Sequence, residues 1–210
     1  MISMYTGTPG SGKSLHAAKT IYEKLRYGKN VIANFPFDDS GIEYFRDRHG
    51  YFFHVTNEEL LAHGIEGLQG FALNFHKVLP DGRVPEGQTV IVLDEAQLLF
   101  NARTWSNSER LKWAGFFSVH RHYGFDVILL TQLDEFIDRQ IRAQVEHEFI
   151  HRNVTNFRWF GALLGLLFHG ALFISIHKWY VNGELVGNEY FVGRKKWYAL
   201  YNTSRLFSFR

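Results

Sequence analysis

The chain has 210 residues, a nearly balanced 23 Lys+Arg against 21 Asp+Glu, and 46% hydrophobic and 17% aromatic residues. That composition supports a substantial core and excludes a disordered or low-complexity protein. The lack of cysteine excludes a disulfide framework, a thiolate zinc site and a cysteine nucleophile.

Taken in chain order, Ile2 to Thr6 is a short apolar run that meets a glycine-rich turn, which predicts a strand feeding a loop. From Ser14 to Tyr27, Leu15, Ala18, Ile21, Tyr22 and Leu25 recur at helical spacing, with Gly28 as a stop. Residues 31–35 and 51–55 read as short strands, and Asn57–Ala62 and Leu68–Lys77 as short helices. Thr89 to Leu93 is apolar without alternation, the pattern of a parallel strand covered on both faces. Ser106 and Glu109 match a capping box that opens a helix carrying Leu111, Trp113, Phe116, Phe117 and Val119, ended by Gly124. Asp126 to Thr131 is another buried strand, and Leu133 to Arg142 is expected to be a helix. The alternation over 1–142 predicts an α/β fold with a parallel sheet flanked by helices.

The remaining residues read as a β-rich extension. Val145–Asn153, Ala171–Tyr180 and Glu189–Tyr201 are strand-like, with Asn182-Gly183 as a hairpin turn between the last two. Trp159 to Ile176 has one ionisable side chain, His169, and is open to two readings: a membrane span at the short end of the range, or a buried hairpin. Residues 1–150 carry 15 basic and 19 acidic side chains, whereas 151–210 carry 8 and 2. Either that tail meets an acidic partner, nucleic acid or an anionic membrane, or it is an ordinary basic subregion of one globule. A division into a domain at 1–150 and an extension at 151–210 follows. No basic stretch precedes an apolar run at Met1, so the expected compartment is the cytosol.

The chemistry concentrates in Gly7, Thr8, Pro9, Gly10, Ser11, Gly12, Lys13 and Ser14, a full match to G-x-x-x-x-G-K-[ST]. Glycines at these positions let backbone N–H groups turn inward around a phosphate, and the following helix, entered through Leu15, adds its positive end. Lys13 can then reach the β- and γ-phosphates, and Ser14 can ligate Mg²⁺. Asp94 and Glu95 follow the best buried strand: either Asp94 is the metal carboxylate and Glu95 the base for an attacking water, the favoured reading, or the two are a helix N-terminal charge pair. Gln132, after the next strand, is either a contact to the γ-phosphate or its water, or a polar strand end. Arg121, Arg139 and Arg142 are candidates for stabilising phosphoryl charge from a neighbouring subunit. His147 and His151, and His120 and His122, have no carboxylate at a zinc spacing and are not read as metal ligands.

These motifs, with Asn34-Phe-Pro, Val90-Ile-Val-Leu-Asp-Glu-Ala-Gln97, the run His120 to Gln132 and Tyr198 to Thr203, resemble the zonular occludens toxin family of filamentous phage assembly ATPases. The likeness is fullest over 1–150. It implies a P-loop NTPase fold, ATP and Mg²⁺ as ligands, and an ATP-driven role in virion assembly and extrusion at the cytoplasmic side of the host inner membrane. The implied partners are further copies of the chain, phage coat and assembly proteins, and single-stranded phage DNA. Two other classes compete on the residues. A small-molecule or nucleotide kinase would need an arginine-rich lid, and no such cluster precedes residue 150. A nucleotide-dependent membrane scaffold would bind ATP and scarcely hydrolyse it.

Overall fold

The computed structural model describes residues 1–101, 107–156 and 170–201. In chain order the strands and helices are β1 (Ile2–Thr6), α1 (Lys13–Arg26), β2 (Asn30–Ala33), β3 (Phe52–His54), α2 (Asn57–Phe75), β4 (Thr89–Leu93), α3 (Asn107–Val119), β5 (Phe125–Leu130), α4 (Arg139–Arg142), β6 (His147–Asn153), β7 (Leu172–Trp179), β8 (Leu185–Val192) and α5 (Lys195–Leu200). The strands form one eight-stranded sheet in the order β3-β2-β4-β5-β1-β6-β7-β8. Pairing is parallel from β3 to β6 and antiparallel across β7 and β8.

Each central strand feeds two cores, because successive side chains point to opposite faces. On β4, Ile91 and Leu93 join Leu60, Trp113, Phe116 and Phe117 on one side. Val90 and Val92 meet Ala17, Ala18, Ile21 and Leu25 of α1 on the other. Double coverage explains why Thr89–Leu93 lacks polar alternation, and why both it and Ile2–Thr6 are buried along their length.

Strand order positions the site. β5 lies between β1 and β4, with Tyr5 in register with Leu130 and Leu93 with Leu129. The carboxyl ends of β1, β4 and β5 therefore share one edge, where parallel α/β sheets bind ligands. The strand β6 crosses residue 150 and pairs with β1 on one side and β7 on the other, so the described tail residues continue the same sheet.

Four expectations are revised. The two short helices after residue 57 are one element, α2, bent at His63 (φ −142°), and a capping box of Thr56 and Glu59 starts it. The expected helix 133–142 is instead a 3₁₀ turn at Asp134–Phe136, an extended Ile137 and the single turn α4. Asp138 breaks the longer helix: its N–H donates to the Phe100 carbonyl (2.9 Å), and its carboxylate caps Gln140 N (2.8 Å). Strand β8 ends at Val192, and residues 195–200 turn into α5 rather than continuing as a strand to Tyr201. Finally, Leu172–Ile176 of the apolar segment belongs to β7, so a helical span over all of 159–176 does not form. The rest of that segment from 159 to 169, and the Ser106 half of the expected capping box, lie outside the described residues. Among those residues no helix is long and apolar enough to cross a membrane.

Candidate nucleotide site

Thr6 ends β1 and the chain turns at Gly7, whose N–H donates to the Gln132 carbonyl (3.2 Å). Gly7 has φ +142°, and a Cβ there would lie 2.5 Å from the His151 carbonyl oxygen. Gly12, with φ +98°, opens α1, and a Cβ there would lie 2.6 Å from the Phe173 ring. Both positions combine a backbone conformation that favours glycine with a contact that admits no side chain. The loop between them closes with Ser11 N–H on the Thr8 carbonyl (3.1 Å).

Lys13 folds back over this loop, donating to the carbonyls of Gly7 (2.6 Å) and Thr8 (3.2 Å). Burial lowers its pKa, against the opposing pull of Asp94 and Glu95. The side chain of Ser11 is buried in the loop, and its hydroxyl has no partner among the described residues. An anion in the loop would meet the Lys13 cation, the N-terminus of α1 and the unused Ser11 hydroxyl. The loop fits a phosphate chain.

Asp94 is held by its backbone. The Asn34 amide, at the end of β2, donates to the Asp94 carbonyl (2.9 Å) and accepts from its N–H (2.7 Å). Burial raises the Asp94 pKa against the opposing effect of a hydrogen bond from the Tyr201 hydroxyl. The other carboxylate oxygen accepts from Glu95 N–H (2.9 Å). Tyr201 and Ser14 line the same cavity, so the phenol that donates to Asp94 stands beside both expected metal ligands. Its ring is fixed edge-on against Phe35, at 4.5 Å between centroids. Glu95 adopts a left-handed conformation (φ +47°, ψ +46°), and Gln97 donates to its carboxylate.

The remaining candidates divide by position. Gln132 is half-buried and lines a cavity with Gly7 to Ser11, which places it beside the loop. Arg139 is exposed at the start of α4. Arg142 pairs with Asp134 (3.5 Å), which also accepts from the Tyr180 hydroxyl (2.9 Å). Arg121 precedes β5, at the opposite edge of the sheet, and pairs with Glu146. Three residues near the loop have roles that the sequence did not assign: Asn34, which lies in the Asn34-Phe-Pro motif, clamps Asp94; Tyr201, within Tyr198 to Thr203, donates to it; and Arg152, exposed on β6, lines the Gln132 cavity.

Behind the loop, His16 Nδ1 and His151 Nε2 stand 2.8 Å apart, joining α1 to β6. Burial lowers His16 to about 4, with Lys19 adding to the shift. Burial also lowers His151 to about 3, with His16 adding to it. Both rings are neutral in the folded chain at pH 7 and gain protons on unfolding below the ordinary histidine value of about 6.5. Their contribution to stability is therefore complete above that pH and is lost as pH falls towards 4. The urea midpoint should drop over this window, by roughly 1 kcal/mol of stability per pH unit for each proton taken up, and His16→Gln should flatten the slope. An unchanged slope in His16→Gln would remove the pair from the acid response.

Comparison with known proteins agrees with this architecture. The "Gene 1 protein" of Enterobacteria phage I2-2 is 31% identical over 128 residues, covering 57% of this chain and 35% of that protein. "Putative assembly protein ORF301" of Pseudomonas phage Pf3 is 29% identical over 149 residues, covering 69% and 40%. The chain thus spans two fifths or less of these curated relatives. Among solved structures, the N-terminal domain of zonular occludens toxin from Neisseria meningitidis superposes with a TM-score of 0.56 at 18% identity, covering 96% of this chain and 98% of that one. The genome packaging NTPase B204 of Sulfolobus turreted icosahedral virus 2, in complex with ATP-gammaS, gives 0.52 at 14% identity, covering 90% and 95%. These two likenesses concern the fold, which is that of a P-loop NTPase. Family membership comes from the sequence itself: residues 1–161 match the model for "Zonular occludens toxin (Zot)", and the chain belongs to that family.

Proposed function

We propose that this chain is the ATP-hydrolysing motor portion of a filamentous phage assembly protein, working as a homo-oligomer on the cytoplasmic side of the host inner membrane. One observation carries the reading: Lys13, Ser14, Asp94, Glu95 and Gln132 all gather at the edge where β1, β4 and β5 end. The Pf3 relative, "Putative assembly protein ORF301", supports the biological half. Residues 1–150 are the motor body in this reading. The basic 151–210 extension is the surface offered to single-stranded DNA, with coat and assembly proteins as further partners.

In this scheme Lys13 exchanges its two loop carbonyls for β- and γ-phosphate oxygens. Ser14 and Asp94 would hold Mg²⁺, beside the Tyr201 hydroxyl that donates to Asp94. Bound Mg²⁺ supplies neutralisation of the developing phosphate charge. Glu95 accepts the proton of a water whose oxygen attacks the γ-phosphorus, Gln132 orients that water, and the bond to the bridging oxygen breaks to leave ADP.

Lys13→Ala should weaken Mg·ATP binding by about 100-fold, the scale of lost charge-assisted hydrogen bonds, while the thermal midpoint stays near wild type. Normal ATP affinity in the folded variant would defeat the assignment. Phosphate release by wild type without any acceptor would separate hydrolysis from transfer to a kinase substrate and from a scaffold that only binds.

A further inference from the structure

Among the described residues, two cavities flank the phosphate loop, and they differ in their aromatic lining. The one beside Gln132 mixes apolar Leu133 and Ile150 with Asp134, Glu148 and Arg152, and has no Phe, Tyr or Trp. The other, of about 370 Å³, has Gly12 to Leu15 along one wall, with Phe173, Trp197 and Tyr198 on the others. Its size falls at the small end of ordinary ligand sites.

The aromatic walls are fixed. Phe173 is buried against Gly12, stacks on Phe191 at 5.4 Å and 22°, and shares a small core with Leu15. Trp197 packs on that core from α5, edge-on to Tyr22 at 5.1 Å, with the Lys196 ammonium 4.2 Å from its ring centroid. At the end of β6, Asn153 also lines the cavity. Its carbonyl oxygen accepts from Thr155 N–H (3.0 Å) and from the Thr155 hydroxyl, which leaves the amide NH₂ as the group it offers a ligand.

We propose that this cleft is the nucleobase subsite: Phe173 and Trp197 provide apolar faces for a planar base, and Asn153 donates to a ring acceptor. The inference rests on the phosphate-loop reading and adds to it. A nucleotide whose γ-phosphate points to Asp94 and Glu95 has its sugar and base at the other end of the loop. Of the two cavities there, only the aromatic one supplies the stacking surface that holds bases irrespective of sequence. The subsite depends on α5, so the C-terminal segment completes a site whose phosphate half lies near the N-terminus.

The test compares Mg·ATP with inorganic tripolyphosphate, which has the charge and no base, by calorimetric binding. Wild type should bind ATP on the order of 10-fold more tightly than tripolyphosphate, from the usual range for one stacked base. Trp197→Ala should abolish that difference and leave tripolyphosphate affinity unchanged, while Trp197→Phe, which keeps an aromatic face, should restore most of it. Lys13→Ala should weaken both ligands. Equal affinities in wild type, with Lys13→Ala still weakening both, overturn the subsite and spare the phosphate loop. Equal loss of both ligands in a folded Trp197→Ala likewise overturns it. Tripolyphosphate binding that is absent, or indifferent to Lys13→Ala, overturns the phosphate-loop reading and the subsite together.

Discussion

Glu95→Gln should keep Mg·ATP binding and lose turnover by about 10²–10⁴-fold, the usual worth of a positioned general base. Its backbone supports the assignment. Glu95 sits in a left-handed conformation (φ +47°), which costs a non-glycine residue roughly 1–3 kcal/mol and persists where surrounding bonds enforce it. Those bonds are present: Asn34 clamps Asp94 from both backbone sides, and the Glu95 carbonyl accepts from Leu98 N–H (2.8 Å). The consequence is a carboxylate displaced from the line of β4 and separated in role from its neighbour. Glutamine keeps the shape and can still accept from Gln97, so a loss of rate would report the missing proton acceptor rather than a rearranged loop. Asp94→Asn should instead raise the Mg²⁺ concentration needed for binding. Burial already disfavours the Asp94 charge, so the neutral amide is expected to be tolerated in the fold. Single-turnover hydrolysis and equilibrium binding, run side by side, distinguish the two. Wild-type turnover in Glu95→Gln would move the base elsewhere.

The phosphate half of this site was legible because its information is local. Gly7 to Ser14 encodes its own backbone path, and a doubly buried strand announces itself by losing alternation, as Thr89–Leu93 does. Asn34 and Tyr201 act on Asp94 across 60 and 107 residues, and no spacing rule connects them. The same distance effect accounts for the misread elements. Leu133–Arg142 has the composition of a helix, yet Asp138 N–H finds the Phe100 carbonyl, and a long-range bond takes the place of a helical one. Glu189–Tyr201 reads as one strand-like run from its sequence. In the fold a helical turn brings Trp197 and Tyr201, four residues apart, to the wall of one cavity.

Specific ATPase activity should fall as the protein is diluted, because among the described residues the phosphate loop carries one cation, Lys13, and hydrolysis needs a second to stabilise charge developing on the γ-phosphate. Arg121 is too far away, at the opposite edge of the sheet and paired with Glu146. Arg142 is engaged within its own subunit by Asp134. Arg139 is exposed at the first position of α4, on a segment that leaves the site edge through Gln132, and in the proposed oligomer it would be the arginine offered to a second copy. An arginine supplied in this way is worth about 10³–10⁵ in rate, so Arg139→Ala should be nearly inactive and Arg142→Ala less affected. Arg152 offers the competing source within one subunit, since it lines the cavity beside the loop. The two sources differ in concentration dependence. A cation from the same chain gives activity strictly proportional to protein down to nanomolar levels, whereas one from a neighbour gives a steeper dependence that Arg139→Ala removes. Mixing Arg139→Ala with Glu95→Gln adds a complementation arm: each lacks a different part, and mixed oligomers should recover activity where an intact Glu95 faces an intact Arg139. Strict proportionality, or full activity in Arg139→Ala with loss in Arg152→Ala, would place the second cation in the same subunit and end the case for shared sites.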